Sequence, residues 1–411
     1  YKMNVSLRKF PFPYRCALAI SSDIDNASSL KNFVQFMEFL NTKRQTKYGT
    51  GLDLEIGNSF WFFNGSESSQ LSYFEGLTNT ETKMAPIIRS YLKSGHIDSL
   101  HSWGNFDQGG FNRNYAERCM EICDKYNLKI PVWINHGIGL NHQKIGDYPD
   151  MYGDDPNHSS YHSDILIKIG CEFAWTGKTT HIIGQNAKKN ISVLTKEFIQ
   201  WILKRTKYRN VKDPIYDNGN DLFNPLFLRD GNKIWEFTRY INAWGNAGIL
   251  DLNEFADQIQ PRVLKRLILN EGIMILYTHF NENLFNSIST NLYKNLKLLC
   301  DFTIQNDIFI TTTARLLKFW ELSNFISYDI RNVGKNTIIT LNENLHTSLG
   351  IKPIENIHLQ GLTFYIGLSG SYSIVFKGEV LNTIINPPDE TGKKSITIPW
   401  KKLDYPNIDI I

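Results

Sequence analysis

Gly95-His96-Ile97-Asp98-Ser99-Leu100-His101-Ser102-Trp103-Gly104-Asn105 decides how the rest of the chain is read. Ahead of it, residues 82–94 carry Met84, Ile87, Ile88, Tyr91 and Leu92 at helical spacing, and Gly95 supplies the stop. The residues around Ile97 to Leu100 then read as a strand that presents His101. A helix followed by a strand that ends in a polar turn is a unit of a parallel β/α fold, which collects functional groups at one rim. Two distant stretches end in the same way: Ala17-Leu18-Ala19-Ile20 runs into Ser21-Ser22-Asp23-Ile24-Asp25, and Ile273-Met274-Ile275-Leu276-Tyr277 runs into Thr278-His279.

The unit recurs along the chain. Helical stripes occupy residues 30–40, 114–126 and 163–169, and strand-like runs include Phe60-Trp61-Phe62-Phe63, Ile130-Pro131-Val132-Trp133-Ile134 and Cys171-Glu172-Phe173-Ala174-Trp175. Residues 137–160, rich in Gly, Asp, Asn, Pro and His, read as a long rim loop. Residues 176–250 break the rhythm, with a helix near 195–205 and a turn-rich stretch at 213–220. They are expected to be an insertion at the barrel mouth, with Asp230, Trp235, Glu236 and Arg239 walling the cleft. Helix and strand alternation resumes at 252 and continues to about 322. Beyond 325, short alternating runs such as Thr337-Ile338-Ile339-Thr340-Leu341 read as a small antiparallel β module. The expected organisation is therefore an α/β unit over 1–324 with an insertion at 176–250, followed by a β-rich module over 325–411.

Composition narrows the function classes. The chain has 411 residues, 42% of them hydrophobic, enough for a large core plus a smaller module. Its 44 basic and 41 acidic residues leave a net charge of +3, too little over the whole chain to argue for nucleic acid or an anionic membrane. No apolar run is long enough to span a bilayer. Five cysteines make an odd, sparse set that does not read as a disulfide framework. Together with the lack of a visible signal peptide they lean the expected compartment toward the cytoplasm, with a truncated extracytoplasmic chain as the alternative, since the sequence opens Tyr1-Lys2-Met3.

Two carboxylates, a group of histidines and one late histidine suit metal-assisted hydrolysis, which needs an activated water, a polarised carbonyl and a proton for the leaving group. Asp23 and Asp25, two apart, share a face on a regular strand. The same pair, with Asn26, Ala27 and Ser28, also reads as the cap of the following helix.

The order of these motifs resembles the polysaccharide deacetylase (NodB-homology) family: Asp23-Ile24-Asp25 after the first strand, Gly95-His96 to His101-Ser102-Trp103 after the second helix, an aromatic-rich turn before Gly137, a strand with Trp175, and Leu276 to His279 near the end. The similarity spans about residues 15–320. It implies a deformed (β/α) barrel and a hydrolase that uses a divalent metal, zinc being the expected ion, to remove N- or O-acetyl groups from a carbohydrate. By the same resemblance Asp23 is the general base, His279 the general acid, and Asp25 and His101 are metal ligands. The family's second metal histidine falls where this chain has Asn105, which by the resemblance is the third metal ligand; its amide oxygen is a poor zinc ligand, so either Asp107 substitutes, or His136 or His162 reaches in, or the site holds its metal weakly. The family's arginine, which orients the base, is missing from Trp133-Ile134-Asn135-His136-Gly137. Trp103, Asn135, His136 and Trp175 are the expected substrate-binding residues, with Trp175 packing against His279, whereas His96 is expected to be structural. Two other readings stay open: an inactive glycan-binding protein on the same barrel, and a glycoside hydrolase pairing Asp23 with Glu172 or Asp107.

Overall fold

The computed structural model describes residues 5–137, 140–146, 148–209, 216, 218–242 and 252–408. At its centre lies the strand Cys16–Asp23, buried along its whole length between the parallel strands Ile273–His279 and Ile308–Ile310. Its run of small and branched apolar residues suits a strand covered on both faces. Ala17 and Ala19 join a cluster with Val132, Phe173, Trp235 and Ile275, while Leu18 and Ile20 face the cluster built around Phe33, Phe36 and Leu40 of helix Leu30–Asn41. The alanines leave room on the inner side for the large aromatic side chains of the other strands.

Two sheets surround that inner cluster. One has the order Thr179–Thr180, Arg239–Tyr240, Ile273–His279, Cys16–Asp23, Ile308–Ile310, and every pairing in it is parallel. The other runs Phe223–Phe227, Lys233–Phe237, Phe173–Trp175, Val132–Ile134, Ile97–His101, Asn58–Phe60, parallel except for its first pair. On one side the sheets meet where Lys233–Phe237 continues through Thr238 into Arg239–Tyr240. On the other, the Ile24 N–H donates to Ser59 Oγ at 3.1 Å. Helices Ala85–Ser94, Arg113–Tyr126, Pro261–Asn270 and Thr290–Ile304 bury their apolar stripes against the outer faces.

This arrangement corrects the expected insertion. Residues 176–250 include Lys233–Phe237 and Arg239–Tyr240, which are integral strands of the two sheets, so this stretch is not a decoration. Of the turn-rich stretch at 213–220, residues 213–215 and 217 lie outside the described residues, as do 243–250. Asp230 accepts from Ser163 Oγ, Trp235 is buried inside, and Glu236 accepts from Thr176 Oγ1 and pairs with Lys178 at 3.2 Å.

The boundary at 325 is also softer than the sequence suggested. Helix Thr313–Phe325 gives Leu316, Leu317 and Trp320 to the strand interior and Phe319 and Leu322 to the core of the C-terminal module. A helix apolar on two sides is one buried between layers. The N-terminal Ser6–Leu7 pairs antiparallel with Phe364 and Tyr365 of the module. The module itself is mixed, because Asn336–Leu341 and Ser371–Phe376 pair in parallel, which corrects the expectation of a purely antiparallel one. All five cysteines are free. Among the described residues no helix is long and apolar enough to cross a membrane.

Candidate active site

Strand periodicity aims the site residues. Ala17, Ala19, Ser21 and Asp23 alternate onto the inner face, and His279 pairs in register with Asp23 on the neighbouring strand. On the other sheet His101 pairs with Ile134, two residues before His136. Parallel strands in register bring all these side chains to the same carboxyl-terminal rim.

Asp25 is the hub. Its Oδ2 lies 3.2 Å from His101 Nε2 and 3.4 Å from His279 Nε2, and its Oδ1 lies 3.5 Å from His136 Nδ1. The His101 and His136 rings sit 4.5 Å apart, both against the buried indole of Trp61. One donor atom each from Asp25, His101 and His136 lies within 4.8 Å of the others. Two imidazoles and a carboxylate are a zinc-like donor set. The other ring nitrogens face away from Asp25, His101 Nδ1 toward Asp23 at 3.7 Å and His136 Nε2 toward Asp107 at 3.8 Å. The residues fit a divalent ion.

Electrostatics separates the roles. Burial disfavours the Asp23 carboxylate, but Arg239, His101 and His279 together outweigh it and hold its pKa below the ordinary value. Burial also opposes ionised Asp25, and His101 and His136 overcome it, holding its pKa well below. For His101, burial works against the charged ring, yet the Asp23 and Asp25 carboxylates raise its pKa. For His136, burial wins over Asp25 and lowers it, which favours the neutral ring that ligates a metal.

Asp23 is held by an arginine from another strand. Arg239 is fully buried and donates Nη1 to Asp23 Oδ2 and Nη2 to Asp23 Oδ1, both at 3.0 Å, and Nη2 to Ser21 Oγ at 2.6 Å. The Trp175 ring lies 4.3 Å from this guanidinium, and Tyr277 4.9 Å. Trp175 therefore packs on Arg239 and Tyr277, and it is Tyr277 that packs on His279, 5.3 Å between ring centroids. This corrects the expected contact of Trp175 with His279. Sequence reading missed the role of Arg239, although a signal existed: Trp235, Phe237 and Arg239 alternate at period two, and the first two face the interior.

Asn105 does not join the cluster. Its Oδ1 accepts from the Asp107 N–H at 3.2 Å, and the third member of the cluster is His136. Asp107 stands beside His136, Oδ2 3.8 Å from its Nε2. Gly137, at φ +91°, lets it approach, since a Cβ there would come 2.1 Å from Asp107 Oδ1. His162 is a core residue, with Nε2 2.6 Å from the Gln143 carbonyl, its ring between Trp103 and Trp133 and its pKa pushed down by burial to about 4. His96 is likewise held, against Ser94 Oγ and Tyr405.

Two expected substrate contacts are structural. Trp103 is fully buried against Phe62 and Trp133. The Asn135 side chain accepts from Trp133 Nε1 and the Ile145 N–H and donates to the Ile145 carbonyl, pinning the rim loop. Glu172, considered as a partner for Asp23, precedes the strand Phe173–Trp175 and is paired with Lys318 at 2.8 Å and with Lys352. It lines a cavity of about 820 Å³ with Ile97 and Asp98, at the strand ends opposite His101.

No protein family matches this chain, and no curated protein or solved structure matches it either.

Proposed function

We propose that this protein is a divalent-metal-dependent hydrolase that removes acetyl groups from a carbohydrate, on a deformed (β/α) barrel whose walls are the two parallel sheets. The observation that carries the reading is the convergence of Asp25, His101 and His136 on one point beside an Asp23 whose carboxylate is clamped by Arg239. Asp25, His101 and His136 would hold the ion, which supplies Lewis-acid polarisation of a carbonyl and acidifies water. Asp23, kept ionised by Arg239, takes a proton from the attacking water as general base. His279, across the strand pair, gives a proton to the leaving group. Trp61 and Trp175 fix the rings and the guanidinium from behind, so the constellation is held before substrate arrives.

The acetylated carbohydrate rests on the resemblance of the ordered motifs, and the metal chemistry rests on the donor set. Counting against an inactive glycan-binding protein, the two departures that suggested it, Asn105 and the absent arginine, are each made good by another residue. Counting against a glycoside hydrolase, Glu172 is at the other strand ends. The test is to incubate zinc-loaded protein with an acetylated oligosaccharide and measure acetate and new reducing ends separately. The reading expects acetate alone, abolished by a chelator. New reducing ends would favour the glycosidase, and neither product the binding protein.

A further inference from the structure

The helix Ile191–Arg205 carries its apolar face outward. Ile191, Leu194, Phe198, Trp201 and Ile202 recur at spacings that put them on one side, and they are 84%, 49%, 61%, 51% and 38% exposed. Only Val193 and Gln200 of this helix are buried. The Phe198 and Trp201 rings stack in the open, 6.0 Å apart and nearly coplanar. The opposite side is anchored: the Gln200 amide meets Thr180 Oγ1 at 3.3 Å, and Lys196 Nζ donates to the His181 carbonyl at 2.7 Å. A fixed helix with a contiguous exposed apolar stripe marks an interaction surface.

Charge identifies the occupant. Lys188 and Lys189 precede the helix, and Lys204, Arg205, Lys207 and Arg209 close it, while Glu197 is the one acidic residue in 188–209. The chain's near-neutral total hides this concentration. Two copies joined through such a face would set like charges together, whereas an anionic bilayer satisfies both features: the apolar stripe enters the headgroup boundary and the flanking cations meet lipid phosphates. Exposed Trp and Phe suit that boundary, and the Arg205 guanidinium lies over the Trp201 ring, 4.0 Å from its centroid.

We propose that helix Ile191–Arg205 docks this protein in the plane of an anionic lipid bilayer surface, without crossing it. Thr180, which anchors the helix, pairs with Tyr240 next to Arg239, so the docked helix is tied through one short strand to the rim that holds Asp23. The inference stands independently of the hydrolase reading.

The test is flotation of the full protein with vesicles of phosphatidylcholine alone and of an equimolar phosphatidylcholine and phosphatidylglycerol mixture. Binding is expected to the mixed vesicles, weakened by added salt. The paired substitution Phe198→Ser with Trp201→Ser should weaken it by about tenfold or more, with circular dichroism and the unfolding midpoint preserved because both side chains are exposed. Lys207→Glu with Arg209→Glu should weaken it while leaving the stripe intact. Absence of binding to the mixed vesicles, equal binding to phosphatidylcholine alone, or full binding by either paired variant would overturn the proposal. So would a dimer in sedimentation that the Phe198 and Trp201 substitutions dissolve, which would assign the face to a second copy.

Discussion

The guanidinium of Arg239 meets the carboxylate of Asp23 fork to fork, two bonds of 3.0 Å with both residues fully buried. The strands that carry them are separated by Ile273–His279, so the pair reaches across a strand to fix the Asp23 carboxylate. Removing one partner of such a pair strands a buried charge. Arg239→Ala should therefore lower unfolding stability by about 3–5 kcal/mol, measured in urea, with Arg239→Lys in between because it keeps the charge and loses the fork. A loss too small to resolve for Arg239→Ala would mean the pair is not closed in solution.

Metal content distinguishes His136 from Asn105. His136→Ala and His101→Ala should each lose stoichiometric zinc without unfolding, since rim ligands contribute more to binding than to packing. Asn105→Ala should keep the ion. Zinc lost from the Asn105 variant and retained by the His136 variant would reverse the ligand assignment.

Asp107 should matter at one remove. It lies 3.8 Å from the outer nitrogen of His136, and loss of such a supporting group typically weakens metal binding about 10- to 100-fold. Asp107→Ala is expected to lie in that range by competition with a chromophoric chelator. Gly137→Ala should fall with it, because the added Cβ would displace Asp107 Oδ1 and the residue sits at φ +91°. Wild-type affinity in both variants would remove Asp107 from the site.

The sign of the pH dependence follows from His101. Burial opposes its charge, the Asp23 and Asp25 carboxylates outweigh burial, and its folded pKa stands above the unfolded value. In metal-free protein the stability from this proton is complete below the ordinary histidine pKa of about 6.5 and drains away as pH rises through the folded pKa. A metal ion has to displace the same proton, so zinc affinity weakens as pH falls. With chelator present, the stability advantage of wild type over His101→Asn should shrink from mildly acidic to alkaline pH, while zinc affinity grows over the same interval. An advantage that grows with pH would contradict the assignment.

Asp23, Asp25 and His279 are legible because each follows an apolar run that reads as a buried strand, and His101 because the helix stop at Gly95 sets a short strand before it; a strand end fixes where the next polar side chain goes. His136 was one of several candidates in the sequence. Its place depends on the register of His101 with Ile134 across two strands, a long-range pairing that spacing along the chain does not encode. The role of Arg239 is hidden for a related reason: Lys233–Phe237 and Arg239–Tyr240 form a single run interrupted at Thr238 and shared by two sheets, and it lies within the stretch 176–250 that reads as an insertion. Trp103 and Asn135 drew attention as polar or aromatic residues near the rim, but the first is sealed in the core and the second spends its amide on the loop at Ile145.

The most direct measurement is acetate release by zinc-loaded Asp23→Asn on an acetylated oligosaccharide, with zinc content read on the same sample. The substitution keeps the shape and leaves Asp25, His101 and His136 unchanged, but it leaves the buried Arg239 charge uncompensated, so circular dichroism on the same sample confirms that the variant is folded. The account predicts full zinc occupancy with the rate reduced on the order of a hundredfold or more, the scale for removing a positioned base. Wild-type acetate release from the zinc-loaded variant would contradict it.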